Sequence, residues 1–421
     1  MTGACIKDKK HIAFYIGSLN KGGAERVMCN LAEFFFNEGY KVTLVTTYLA
    51  DDEYDVQDGK WTVIKKGADA PCELPRGYKE LTVLNPDDEL KKVYLGPSEK
   101  ESINRVFTAL MPDERGGRIV NLQRRIRKLR NTWIDIKPDI IISFLGKNNV
   151  MALRSSKGLG IPVVVSVRSN PAREYADRLL NMSMKSLFQK AAGIAVQTNG
   201  AADFFKGALK DKCKVLPNSL HPGFMDRAIV PFDEREKEII SVGRLDENKN
   251  QILLIRAFAD VVKIHPEYKL RLFGDGPSKG DFEKEAKNLG LNDSNVIFEG
   301  NVSDVASKIS RASIFVLPSK QEGMPNALLE AMSLGIACIS TDCPCGGPAD
   351  IINDGQNGLL IPMGNDDDMK DSLVKALLRL IEDKALPSSI SNKALDIRKT
   401  YAPERINGLW KDYVDQILKS R

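Results

Sequence analysis

Residues 314–341 read IFVLPSKQEGMPNALLEAMSLGIACIST, and the reading of this run decides the fold. Ile314–Leu317 is a short apolar run of buried-strand type, and Ala337–Thr341 is a second one. Between them lies a helix with both punctuation marks in place. Pro325 suits the first helical position and Gly335 the position just past the end. Strand, helix, strand in this order is the unit from which parallel sheets are built. Working back from it, Val296–Glu299, Lys269–Phe273 and Ile239–Val242 read as further strands, with helices near 303–311, 278–289 and 250–264. An earlier series repeats the pattern. His11–Ser18 (HIAFYIGS), Lys41–Thr47, Asp139–Phe144, Pro162–Val167 and Ile194–Gln197 read as strands. Residues 24–38 form the helix after the first of them, with Val27, Leu31, Phe34 and Phe35 on one face and Gly39 as its stop. Residues 50–118 are less regular and read as an excursion of short strands and loops. The expected class is α/β: two Rossmann-like, doubly wound domains facing across a cleft.

A chain of 421 residues exceeds one compact core, which agrees with two domains. Residues 219–236 lack periodicity and carry two prolines, so the linker is placed there. The expected division is 1–220, 221–400, and a last helix at 401–421 returning toward the first domain. The net charge is only +5, but it is unevenly spread. Residues 1–220 hold 35 Lys or Arg against 25 Asp or Glu, whereas the remainder is acidic. The two halves therefore meet different partners. No apolar run is long enough for a transmembrane helix, and Met1–Lys10 lacks the apolar stretch of a signal peptide. Seven scattered cysteines suit a reducing cytosol, and Cys343 with Cys345 lacks the partner pair of a zinc site. Three histidines exclude a histidine-rich metal centre.

In the deciding run, Glu322 and Gly323 fall in the loop before the helix and Glu330 about one and a half turns inside it. The amino end of a helix offers unpaired N–H groups and a positive dipole end, which suit a phosphate. A carboxylate there can accept from a ribose or sugar hydroxyl. Gly323 lets ligand oxygens approach the backbone. Taken singly, Glu322 reads equally as a loop acid and Glu330 as a solvated helix residue. Upstream, Arg244 and Lys249 flank the turn after Val242, spaced to meet over one strand end. Two cations there suit a diphosphate.

In combination, SVGRLDENKNQ, LRLFGDGP, VIFEG, EGMPNALLEAMSLG, GGPADII and DGQNGLLIP resemble the retaining GT-B glycosyltransferases of family 4. Lys21–Arg26 (KGGAER) resembles the same family's first strand–helix loop, and Val215–Ser219 (VLPNS) its interdomain crossover. The resemblance implies transfer of a hexose or N-acetylhexosamine from a nucleotide-diphosphate sugar, with UDP as the expected carrier, to a lipid-linked or polysaccharide glycan. It implies that Arg244 and Lys249 bind the diphosphate, Glu330 the ribose, and Glu322 the transferred sugar. Gly323, Met324 and Pro325 add backbone contacts. Glu299 and Gly300 stand where the base packs, and Gly22 and Gly23 close over the phosphates or acceptor. No cofactor and no essential metal are implied, and Asp366, Asp367 and Asp368 read as a helix cap. Two positions depart from the family. Ser166–Pro171 reads SVRSNP where many relatives carry a histidine, which leaves Arg168 as a candidate for an acidic acceptor or as a surface arginine. Asp350 stands where relatives often have Glu, and no role is given to it.

Residues 115–130 (RGGRIVNLQRRIRKLR) hold seven Arg or Lys and no acid, with Ile119, Leu122, Ile126 and Leu129 at helical spacing. The helix reads as a domain helix with a basic solvent face or as an attachment to anionic lipid headgroups. No aromatic platform points to nucleic acid. The expected location is cytoplasmic, peripheral at the inner face of the membrane. The rival readings are a GT-B sugar-nucleotide epimerase, which three histidines disfavour, and a non-catalytic nucleotide-sugar-binding subunit.

Overall fold

In the computed structural model of the chain, the described residues are 9–19, 22–47, 103 and 117–420, with strand segments at 52–53, 64–65, 80–83, 93–94 and 104–107. The chain divides into two compact units. One takes Met1–Val196, Phe204–Leu216 and Asn407–Arg421, and the other takes Gln197–Asp203 and Pro217–Ile406. The expected excursion at 50–118, Lys21, Cys5 and Cys72 lie largely or wholly outside the described residues.

The strands of the first series are β1 (His11–Ile16), β2 (Lys41–Thr46), β3 (Asp52–Glu53), β4 (Ile64–Lys65), β5 (Glu80–Val83), β6 (Val93–Tyr94), β7 (Asn104–Phe107), β8 (Ile140–Phe144), β9 (Val163–Val167), β10 (Gly193–Val196) and β11 (Cys213–Val215). Nine of them form one sheet in the order β11-β10-β9-β8-β1-β2-β7-β5-β6, and β3 pairs with β4 separately. Apart from β5 with β6, the sheet is parallel. Every residue of β1, β8 and β9 is buried, as a sheet covered on both faces requires.

Helices α1 (Gly23–Asn37), α2 (Arg118–Ile136), α3 (Gly146–Ser155), α4 (Pro171–Glu174), α5 (Arg178–Leu187), α6 (Asn199–Phe204) and α7 (Ala208–Asp211) belong to this series. The faces they cover follow from the register. Phe14 pairs with Ile142 and so shares a face with Phe144. Phe35 of α1 lies 6.1 Å from Phe14, and Trp410 of the last helix stacks on Phe144 at 6.1 Å. Tyr15 points the other way and meets Trp133 of α2 at 5.9 Å. Trp133 Nε1 donates to Ser155 Oγ of α3 at 2.8 Å, and Arg154 of α3 donates to Ser183 of α5 at 2.9 Å. So α2, α3 and α5 lie side by side on one face, opposite α1.

The second unit holds β12 (Glu236–Val242), β13 (Lys269–Phe273), β14 (Val296–Gly300), β15 (Ala312–Leu317), β16 (Ala337–Thr341) and β17 (Leu359–Ile361). They form a parallel sheet in the order β14-β13-β12-β15-β16-β17. Its helices are α8 (Pro222–Met225), α9 (Gln251–Ile264), α10 (Lys279–Asn288), α11 (Val305–Ile309), α12 (Asn326–Ser333), α13 (Gly347–Ile351), α14 (Asp366–Glu382), α15 (Leu386–Ala394), α16 (Ile397–Thr400) and the start of α17 (Pro403–Lys419). Leu253, Leu254 and Phe258 of α9 and Leu373 and Leu377 of α14 join the sheet's buried core.

Two local expectations are corrected. Pro325 is the cap of α12 rather than its first residue, because its backbone is extended (ψ 105°). The run 219–236 is no free linker. It lies in the second unit and carries α8, and Arg235 is buried, donating to the carbonyls of Ser310, Ala312 and Leu334. Ser310 and Leu334 cap the carboxyl ends of α11 and α12, where carbonyls lack intrahelical partners. The apolar stripe of α2, read from its period, is covered only in part. Leu129 is buried, but Ile119 is 73% exposed and Leu122 is exposed too. A helix of 19 residues runs about 28 Å, while the five-residue β8 beside it runs about 17 Å, so the first turns of α2 outrun the sheet.

Candidate active site

In the second unit, β13 and β14 lie on one side of β12, and β15 to β17 on the other. A parallel sheet that reverses its order in this way opens a crevice at the carboxyl ends of the two central strands, here β12 and β15. The loops that follow those strands carry the candidate residues.

After β12, Asp246 organises the turn. Its Oδ1 accepts from Lys249 N at 2.8 Å, and its Oδ2 from Arg244 Nε at 2.6 Å. Burial opposes its ionisation, but Lys249 N–H and Arg244 outweigh it and hold its carboxyl below the usual range. The Arg244 side chain stays 73% exposed, so its remaining N–H groups face solvent. Asn250 takes a left-handed conformation (φ 55°) and caps α9. Gly274, after β13, backs this loop. A β-carbon there would stand 2.1 Å from Gly243 O, so no other residue fits.

After β15, Glu322 is the meeting point. Its Oε1 accepts from Lys249 Nζ at 2.6 Å and from Ser319 Oγ at 2.6 Å. Lys249 and Glu322 are both largely buried. Asn248 ties the two loops together, donating to Gln321 O at 3.0 Å and accepting from Lys320 N at 2.8 Å. Gly347 of α13 lies so close that its β-carbon would be 1.9 Å from Gly323 O. Met324 is buried, and Asn218 fixes the segment by donating to Met324 O at 3.2 Å and Asn326 Oδ1 at 2.7 Å. Glu330 is the fifth residue of α12 and is buried, which removes the reading of it as a solvated helix residue.

The structure thus brings Arg244, Lys249, Glu322, Gly323, Met324 and Pro325 to one sheet edge, with Glu330 on the helix behind. Glu299 and Gly300 end the outer strand β14. Glu299 pairs with Arg271 at 2.7 Å, and Gly300 O accepts from Gly274 N at 2.8 Å. Asp350 accepts from Asn199 N at 2.9 Å, and Asp366, Asp367 and Asp368 form the first turn of α14.

In the first unit the order reverses between β1 and β8. After β1, Gly22 caps α1 and Gly23 opens it. After β9 stands Arg168. It is no surface arginine: it is 7% exposed, with its guanidinium carbon 4.9 Å over the Phe144 ring. Burial drives its pKa down to about 9 against the charge of Glu174. Glu174 of α4 is half-buried, and desolvation pushes it up to about 7 although Ser169 Oγ (2.7 Å) and Arg168 N (3.3 Å) donate to it. At the end of β8, Leu145 has φ 74° and ψ 145°, a conformation that costs a residue with a side chain about 1–3 kcal/mol. Strain of this kind gathers where a site needs it.

Sequence reasoning missed Ser319, Asp246, Asn218, Glu174 and Leu145. Two had a readable trace: Ser319 stands three residues before Glu322, and Asp246 two after Arg244. Asn218 had none because its partners Met324 and Asn326 lie far along the chain, Leu145 because its backbone is unusual, and Glu174 because its desolvation comes from packing.

Two family models match this chain, glycosyl transferases group 1 over residues 225–396 and a glycosyl transferase 4-like domain over residues 22–219. The chain belongs to the GT-B glycosyltransferases. It is 24% identical, over 96% of its length and 98% of the relative's, to the GalNAc-alpha-(1->4)-GalNAc-alpha-(1->3)-diNAcBac-PP-undecaprenol alpha-1,4-N-acetyl-D-galactosaminyltransferase of Campylobacter jejuni. It is 23% identical to the amylovoran biosynthesis glycosyltransferase AmsD of Erwinia amylovora, over 95% and 97% of the two chains. Among solved structures, HepE of Anabaena in complex with UDP aligns with a TM-score of 0.71 and 16% identity over 97% of this chain and all of that one. That likeness bears on the fold. Among the described residues, no helix of this glycosyltransferase is long and apolar enough to cross a membrane.

Proposed function

We propose that this glycosyltransferase moves a hexose or N-acetylhexosamine from a UDP-sugar to a glycan carried on a lipid, retaining the anomeric configuration and needing no metal ion. The observation that carries the reading is the Lys249–Glu322–Ser319 contact at the crevice of the second sheet, with Arg244 beside it. When the bond between the anomeric carbon and the diphosphate oxygen breaks, positive charge builds on the sugar and negative charge on the leaving group. Lys249 and Arg244 are the cations placed to take up the latter. Glu322, held by Ser319, faces the former and accepts from sugar hydroxyls. Glu330 accepts from the ribose, Glu299 and Gly300 border the base, and the backbone of Gly323, Met324 and Pro325 lines the diphosphate. Gly22, Gly23 and Arg168 belong to the acceptor side. The two relatives reported above act, by their names, on an undecaprenol-linked glycan and in amylovoran synthesis, which supports a lipid-linked or polysaccharide acceptor. The basic run at 115–130 supports contact with an anionic membrane surface from the cytoplasmic side.

The test is a donor-hydrolysis screen of the purified protein across sugar nucleotides, read by mass spectrometry. Release of UDP from one UDP-sugar, accelerated by a lipid-diphosphate glycan, is the expected outcome. Turnover of GDP- or dTDP-sugars alone would refute the donor assignment.

A further inference from the structure

The loop that carries Glu322 leaves β15 through Pro318. Proline has no N–H to give to a ladder, and the paired register of β15 with β16 ends one residue earlier, at Leu317 and Ser340. Beyond the proline a side chain takes over from the ladder. Thr341, the last residue of β16, donates its hydroxyl to Ser319 O at 2.6 Å. Ser319 in turn donates its own hydroxyl to Glu322 Oε1 at 2.6 Å. Both Thr341 and Ser319 are completely buried, so water cannot replace either bond. The turn is tied to the end of β16 a second time, since Glu322 N donates to Pro344 O at 3.3 Å.

Lys249 Nζ donates to the same oxygen of Glu322, at 2.6 Å. With both side-chain bonds on Oε1, Oε2 is the oxygen left to accept from a ligand. The two bonds differ in what a donor does to them. On the proposed reading, a bound donor draws Lys249 to its diphosphate. Ser319 stays, because its carbonyl is held by Thr341 and its side chain is enclosed. Ser319 is then the group that keeps Oε1 in place, and the direction of Oε2 depends on where β16 holds the Ser319 backbone. A misplacement of about 1 Å near a reacting group costs roughly a hundredfold in rate. We propose that Thr341 is a positioning residue for the donor sugar: acting through Ser319, it aims Oε2 of Glu322 at a hydroxyl of the transferred sugar. The inference rests on the reading of Glu322 under the proposed function.

The test compares Thr341→Val, which keeps the buried shape without the hydroxyl, with Thr341→Ser, which keeps the hydroxyl. Ser319→Ala and the double variant of Thr341→Val with Ser319→Ala complete the set. Each full-length protein is assayed for hydrolysis of the sugar nucleotide that the wild type turns over fastest. Binding of the matching nucleoside diphosphate is measured by calorimetry, and thermal melting checks the fold. Thr341→Val should lower kcat about tenfold, and Ser319→Ala about ten- to a hundredfold. Both changes act on one bond to Glu322, so the double variant should be no slower than Ser319→Ala. Thr341→Ser should recover most of the loss. The nucleoside diphosphate carries no sugar, so its affinity should stay at the wild-type value throughout. A wild-type kcat in Thr341→Val, losses that add in the double variant, or a diphosphate affinity that falls with kcat would overturn the proposal. Should Ser319→Ala not fold, Thr341→Val against Thr341→Ser still decides. Glu322→Gln separates the inference from the reading beneath it. A wild-type rate there would refute the role given to Glu322 and the positioning role with it. A slow Glu322→Gln beside an unchanged Thr341→Val would refute the positioning role alone.

Discussion

The carboxyl edges of the two sheets solve opposite electrostatic problems. At the second sheet each cation has its own carboxylate in reach: Arg244 with Asp246, and Lys249 with Glu322, both at 2.6 Å. Both pairs keep some contact with solvent, and pairs of that kind exchange partners at modest cost. At the first sheet Arg168 is buried and Glu174 half-buried, and desolvation works against the charge of both. Beside them Leu145 holds a strained backbone. A ready-made, charged edge suits a small, highly charged ligand common to many enzymes. A buried edge that is costly to keep charged suits one particular acceptor, recognised when it covers the site.

The sharpest way to break the comparison is Lys249→Ala. It removes the cation that meets the leaving group and should lower kcat by about 10²–10³-fold with little change in the melting temperature, as measured by initial transfer rates and calorimetry. A wild-type rate would end the donor-edge assignment. Glu330→Ala comes next. Loss of hydrogen bonds to a carboxylate should raise KM for the nucleotide sugar about ten- to a hundredfold, and a change confined to the acceptor's KM would move Glu330 out of the donor site. The smallest effect concerns the first edge. Folded Glu174 takes its proton near pH 7, well above its ordinary value of 4.5. Between those values the folded state binds more protons than the unfolded one, so this group's contribution to stability falls as pH rises through that window. The melting temperature of the wild type relative to Glu174→Gln should therefore be higher at about pH 5.5 than at about pH 8. An offset that does not vary with pH would show that Glu174 is not held against its charge.

How much of this could be read from the sequence depended on locality. The strands and helices of the second unit were legible because their apolar periods and end signals are local, as in the 314–341 run. The candidate donor residues Arg244, Lys249 and Glu322 could be picked out because they lie in loops next to those signals. What escaped depended on distant partners. Glu174 sits in a polar run, RSNPAREY, whose Arg168 and Ser169 donate to it, and nothing in that run says that Gly146, far earlier in the chain, will pack against it. The stripe of α2 was legible as a period, but how much of it is covered was not, since a period does not tell where the sheet ends. Leu145 carries no signal because the strained position holds a residue with a side chain where glycine would have announced it.

The central claim is that the second sheet's edge holds the donor diphosphate and the first does not. Calorimetric titration of UDP into wild type, Lys249→Ala and Arg168→Gln tests it directly. The account predicts that Lys249→Ala weakens UDP binding by about tenfold or more while Arg168→Gln binds like wild type. Equal UDP affinity for Lys249→Ala and wild type, or a loss confined to Arg168→Gln, would contradict it.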